Sequence, residues 1–124
     1  MIAFEVSLNG QSVCVAGMDD LAVLSTIIAA SGKLGPKATT SRPGDFSSRI
    51  YYSVGGLTGR KNPAKDVQVS WKSVTDLAVG DVLQVRVLET DRVDKPKRRE
   101  NAEKARVTGN KRMARYRAMA KAKK

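Results

Sequence analysis

Residues 19–31 read DDLAVLSTIIAAS, and the reading of this stretch decides the fold. The stretch reads as a helix. Asp19 or Asp20 supplies the cap, because a carboxylate oxygen can accept the first free backbone N–H groups. Both acids then lie at the positive end of the helix dipole. Leu21, Leu24, Ile27 and Ile28 fall on one stripe of the helix surface. With Asp19 as the cap, Met18 staples onto Val23. Gly32 provides the stop, and Lys33 suits the negative end.

Upstream, Ile2, Phe4, Val6 and Leu8 alternate with Ala3, Glu5 and Ser7, the period of a half-buried strand. Asn9-Gly10 follows, and then a second apolar alternation over residues 11–16. Both turn residues tolerate the positive φ of a type I′ hairpin. A two-residue loop places Val6 opposite Val13, Phe4 opposite Val15 and Glu5 opposite Cys14. Downstream, KLGPKATTSRPGDFSS (33–48) reads as a long loop. Ile50, Tyr52 and Val54 begin a third strand, which Gly55-Gly56 ends or bulges. LTGRKNPAKD is a basic loop; Val67, Val69 and Trp71 alternate in a fourth strand. Leu77 and Val79 lead through Gly80-Asp81 to a last strand carrying Leu83, Val85 and Val87.

The order β-β-α-β-β-β predicts an α+β domain with a β-grasp-like mixed sheet packed on one helix. Its first and last strands would lie parallel at the centre. LAVGDVLQVRV (77–87) resembles the L-x-x-GD-x-apolar ending of β-grasp families such as the sulfur carriers and the TGS domain. More of the chain, residues 2–96, resembles a group of small bacterial proteins for which no activity is settled. SLNGQSVCVAG, VGGL and LAVGDVLQVRVLETDRVDKP carry that likeness. The resemblance implies one compact domain ending near Pro96 and brings no active site with it.

Charge divides the 124 residues into two parts, and the net +11 is concentrated in one of them. Residues 1–94 hold equal numbers of acids and bases, whereas 95–124 (KPKRRENAEKARVTGNKRMARYRAMAKAKK) hold thirteen Lys or Arg against Glu100 and Glu103. The expected organisation is a domain over 1–94 and a basic C-terminal tail over 95–124, partly helical or disordered. Ala, Lys, Arg and Met favour helix there, but an isolated helix of that length is marginal in water.

The chain has no histidine and a single cysteine. The commonest general base is therefore missing, and no intrachain disulfide can form. A sulfur carrier would end in Gly-Gly, whereas this chain ends in Lys-Lys. Cys14 reads as a packed thiol and Asp19-Asp20 as capping acids. The N-terminus has no signal-peptide pattern, and the longest uncharged apolar run, 21–32, is too short to span a bilayer. The expectation is a cytoplasmic non-enzyme without cofactor or metal, its oligomeric state open.

Two binding roles follow from the sequence. In the first, the basic tail associates with nucleic acid, RNA or DNA, largely without sequence preference, because it neutralises phosphates rather than reading bases. The residues expected to make contact are Lys95, Lys97, Arg98, Arg99, Lys104, Arg106, Lys111, Arg112, Arg115, Tyr116, Arg117 and Lys121, joined by Arg60 and Lys61. An acidic protein partner would meet the same charges. In the second, the chain is a protein–protein interaction module, an adaptor or a subunit of a larger assembly. There the sheet edge and loop 33–48 engage the partner, and the tail is secondary.

Overall fold

The structure is a computed structural model that describes residues 1–39 and 48–101. Among these residues seven strands follow one another: β1 (Ile2–Leu8), β2 (Gln11–Ala16), β3 (Leu21–Ser31), β4 (Arg49–Thr58), β5 (Val67–Asp76), β6 (Leu83–Glu89) and β7 (Arg98–Asn101). A short 3₁₀ turn, Pro63–Lys65, is the sole helical element among the described residues. The strands form a three-stranded sheet, β2-β1-β6, and a four-stranded sheet, β3-β4-β5-β7. Every strand pair in both sheets is antiparallel.

This architecture corrects the α+β, β-grasp-like expectation at two points. The stretch expected to be a helix is an 11-residue strand, so no helix covers either sheet among the described residues. The first and last long strands do pair, but antiparallel, with Ile2 opposite Glu89 and Leu8 opposite Leu83. The physical reason begins with Val23, Thr26, Ile27 and Ile28, whose branched Cβ atoms lose side-chain freedom in a helix and pack well on a pleated surface. The 10-residue β4 then pairs with β3 from Thr58 to Arg49. That long-range ladder outweighs a helical stripe that has no surface to bury against.

The core lies between the sheets. Val6 of β1, Cys14 and Ala16 of β2, Tyr52 and Val54 of β4, and Val69 and Trp71 of β5 form one buried cluster. Phe4, Leu8, Leu24 and Leu83 pack partly against it. Full burial of such a side chain contributes roughly 1.5–3 kcal/mol before entropy is counted. Gly55-Gly56 lies inside β4, where the register with β5 shifts, so the pair bulges the strand rather than ending it. Close backbone approach explains both residues. A Cβ on Gly55 would sit 2.9 Å from the Val69 carbonyl oxygen, and one on Gly56 would sit 2.6 Å from that of Val23.

The hairpin has its expected turn but not its expected register. Asn9 and Gly10 both hold positive φ, 52° and 81°. Leu8 faces Gln11 and Ser7 faces Ser12, after which the register shifts by one residue. Val6 therefore faces Cys14, Glu5 faces Val15 and Phe4 faces Ala16, which corrects the predicted pairs. The bulge re-aims Cys14 into the core.

Two contacts tie the sheets and turns together. Asn9 docks on the Gly80-Asp81 turn: its backbone N–H donates to the Val82 carbonyl, and its side chain accepts from the Val82 N–H and donates to Asp81. Asp94 spans the two sheets. It donates through its backbone to the Val15 carbonyl and accepts the Val15 N–H on its carboxylate. Its own carbonyl accepts the Trp71 indole N–H at 2.8 Å. Beyond it, the Lys97 N–H donates to the Ser70 carbonyl, and β7 adds to β5.

Candidate interaction edge

An open sheet presents unpaired N–H and C=O groups at its edges, and proteins usually blunt these with charge, proline or cover. Three of the four edges here follow that practice. On β2, Ala16 bridges Asp94, and Val15 is held by the same residue. β6 carries Arg86 and Glu89, and β7 carries Arg98, Arg99 and Glu100. β3 differs. Its sequence, LAVLSTIIAAS, contains no charge, proline or glycine. Among the described residues no strand pairs with its outer side.

The side chains along β3 reinforce this. Val23, Ile27 and Ile28 are 50%, 52% and 61% exposed. Val23, Ser25 and Ile27 face away from the core, opposite Leu57, Gly55 and Ser53 of β4. With Val74 of β5 they line a shallow trough on the outer face of the sheet, and Gly55 leaves its floor bare. On the core side, Thr26 has a buried Oγ1 with no hydrogen-bond partner among the described residues. An unsatisfied buried hydroxyl is costly, on the order of 1–3 kcal/mol.

Charge marks the ends of the strand. Asp19 and Asp20 precede it, and Lys33 follows just after Gly32, which turns the chain at φ 111°. Asp20 is engaged by Arg60, whose Nε lies 3.0 Å from its carboxylate. Asp19 and Lys33 are both exposed, and neither forms an ion pair among the described residues.

The residues expected to bind nucleic acid divide in two. Lys104, Arg106, Lys111, Arg112, Arg115, Tyr116, Arg117 and Lys121 lie outside the described residues, as does the expected tail helix beyond Asn101. The other six are dispersed over the loop after β4, the approach to β7 and β7 itself. Arg60 is committed to Asp20 and to the Lys65 carbonyl, and Arg98 and Arg99 are strand residues of β7. Arg60, Lys95 and Arg99 do meet around one depression, but Asp19, Asp20 and Asp94 line it too. Carboxylates interleaved with the cations oppose an approaching phosphate, so the nucleic-acid expectation finds no support here. Lys61 is exposed in its loop, and Lys97 is exposed on the approach to β7. The expected partner loop 33–48 is described only to Thr39 and from Ser48.

Reactive chemistry is equally sparse. Cys14 is buried, and burial first, then the Asp94 carboxylate, pushes its thiol above the ordinary value. Such a thiol is a poor nucleophile. Among the described residues no cluster of three or more His, Cys, Asp or Glu is placed to hold a metal, and no helix is long and apolar enough to cross a membrane. Neither a family model, nor a curated protein, nor a solved structure matches the chain.

The sequence points to a sheet edge without saying which, and it hides Val23, Thr26 and Ile27 because their segment also satisfies a helical stripe. One signal is present: a run of eleven residues without charge, proline or glycine, bounded by Asp20 and Gly32-Lys33.

Proposed function

We propose that this protein is a non-enzymatic interaction module that joins another polypeptide by strand addition on β3. The observation that carries the reading is the contrast between β3, eleven uncharged residues with no cover among the described residues, and the other edges: β6 and β7 carry charge, and the shorter β2 is capped by Asp94 at Val15 and Ala16. Strand addition would satisfy the outward N–H and C=O groups of β3 by main-chain hydrogen bonds. Specificity would come from the apolar side chains that alternate along it. Covering Val23 and Ile27 would also remove exposed apolar surface from water.

The test compares tagged full-length protein with its Ile27→Lys form, each recovered from extract with and without nuclease. Ile27 faces outward, so the substitution adds charge to the edge and leaves the core intact. The expected result is a protein partner that is lost in Ile27→Lys and unaffected by nuclease; an untagged copy of the chain counts as such a partner. A set of partners unchanged by Ile27→Lys, or one lost on nuclease treatment, overturns strand addition. Nuclease-sensitive recovery would return the role to the basic segment.

A further inference from the structure

We infer that the strand added to β3 is β3 of a second copy of this chain, antiparallel, about a two-fold axis through Thr26. The inference rests on the strand-addition reading above and supplies its partner. Two independent features of β3 select this occupant.

The first feature is the charge at the ends of the strand. In a parallel pairing, Asp19 would meet Asp19 and Lys33 would meet Lys33. In the antiparallel pairing centred on Thr26, Asp19 of each copy comes beside Lys33 of the other. Ser25 then opposes Ile27, Leu24 opposes Ile28 and Val23 opposes Ala29, so the uncharged run meets only itself. Opposed residues in this register are separated by an even number of positions, so their backbone groups point the same way and the ladder is consistent at every pair. The bulge between Leu21 and Val23 displaces Asp19 by about one residue, a distance the Lys33 side chain spans.

The second feature is Thr26 itself. Its hydroxyl is the unsatisfied group on the strand, and it lies at the centre of the register that the terminal charges select. Threonines opposed across a strand pair hydrogen-bond to one another, each hydroxyl being both donor and acceptor. The chain itself covers that hydroxyl, so it meets such a partner by rotation about χ1, and the two-fold then gives Thr26 the partner it lacks. The resulting contact is isologous, with the same residues used on both sides, and it closes as a dimer rather than growing into a filament. The two four-stranded sheets become one continuous sheet, and neither copy keeps the bare edge.

Sedimentation velocity on the full-length chain, from about 1 to about 100 µM, reads the outcome. The expected species has twice the 13.4 kDa chain mass. Ile27→Lys puts two ammonium groups near the axis and leaves monomer. Asp19→Lys alone and Lys33→Asp alone each turn two attractions into two repulsions and weaken the dimer by about tenfold or more. An equimolar mixture of these two single variants restores it. The copy carrying a lysine at both ends of the strand then faces a copy carrying an aspartate at both ends. Circular dichroism of each variant confirms that it is folded, and the mixture is informative even if Ile27→Lys is not. The inference fails if the wild type is monomeric throughout, if the dimer ignores Ile27→Lys, or if the mixture is no tighter than its components. A monomer that still has an Ile27-dependent partner overturns the second copy and leaves strand addition standing. A monomer without such a partner removes both.

Discussion

Asn9 and Gly10 hold left-handed backbone at the tip of the first hairpin, and the Asn9 side chain is held by Asp81 and Val82 some seventy residues on. The turn type was legible because only a few residues tolerate positive φ, and Asn-Gly is the commonest such pair. The docking was not, since nothing local says which distant turn Asn9 will meet. A Cβ at Gly10 would meet nothing within 4 Å, so the cost of substitution there is backbone strain and not a clash. Gly10→Val should destabilise by roughly 1–3 kcal/mol in denaturant titration; no change would dissociate the fold from this turn. Asp81 provides a pH test. Its carboxylate accepts from the Ala78 N–H and from Asn9, and these bonds hold its pKa below the ordinary value. The folded state therefore binds fewer protons than the unfolded state in that window. Its contribution is present above the ordinary carboxylate range, about pH 4, and is lost as pH falls through the folded value. The stability difference between wild type and Asp81→Asn should shrink as pH is lowered from about 5 to about 2. A pH-independent difference would remove Asp81 from the account of acid stability.

Among the elements, β1, β2, β5 and β6 were legible because two-residue alternation is hard to mistake when Glu, Ser and Gln mark the polar positions. β3 was not. Leu21, Leu24, Ile27 and Ile28 satisfy a helical stripe, while the alternation of Val23, Ser25 and Ile27 satisfies a strand. Only β4, a partner that begins well downstream at Arg49, decides between them. β7 was hidden for the opposite reason: Arg98, Arg99 and Glu100 have no apolar pattern at all, and their extended state is imposed by the open side of β5. Tight backbone packing makes a sharp prediction for β4. Gly56→Ala places a methyl group 2.6 Å from the Val23 carbonyl oxygen, a backbone atom that cannot move alone. The expected loss is roughly 1–3 kcal/mol by urea titration, with weakened protection of β3 amides in hydrogen exchange. Gly35→Ala, where a Cβ meets nothing within 4 Å and φ is not positive, is the neutral control. Equal effects at the two sites would exclude the close approach as the reason for Gly56.

On the scale of the whole molecule, the contrast between a neutral body and a basic segment was visible in the sequence, but the way the segment attaches was not. Asp94 joins β2 to Trp71, and β7 continues the second sheet just beyond it. A chain ending at Asp94 loses the Lys97 N–H to Ser70 bond and the ladder from Val67 to Ser70. We expect it to fold but to be less stable by at least about 1 kcal/mol, given net contributions of roughly 0.5–1.5 kcal/mol per hydrogen bond. Unchanged stability, with Val67 and Ser70 amides exchanging no faster, would show that β7 adds nothing to the body.

The pairing of β1 with β6 also sets a clock. Ile2 finds its partner at Glu89, so one side of β1 stays open until nearly the whole sheet-forming sequence exists. At roughly 5–20 residues per second, synthesis leaves that strand half-satisfied for roughly 4–17 s. During that interval the nascent chain also presents β3, apolar and without a charge along its eleven residues. Aggregation therefore competes with folding most strongly during manufacture, not in the finished protein. Refolding from denaturant should be slow, in the millisecond-to-second range typical of long-range β pairing. Its yield should fall as protein concentration rises, and Ile27→Lys, which blunts the exposed strand, should recover much of that lost yield.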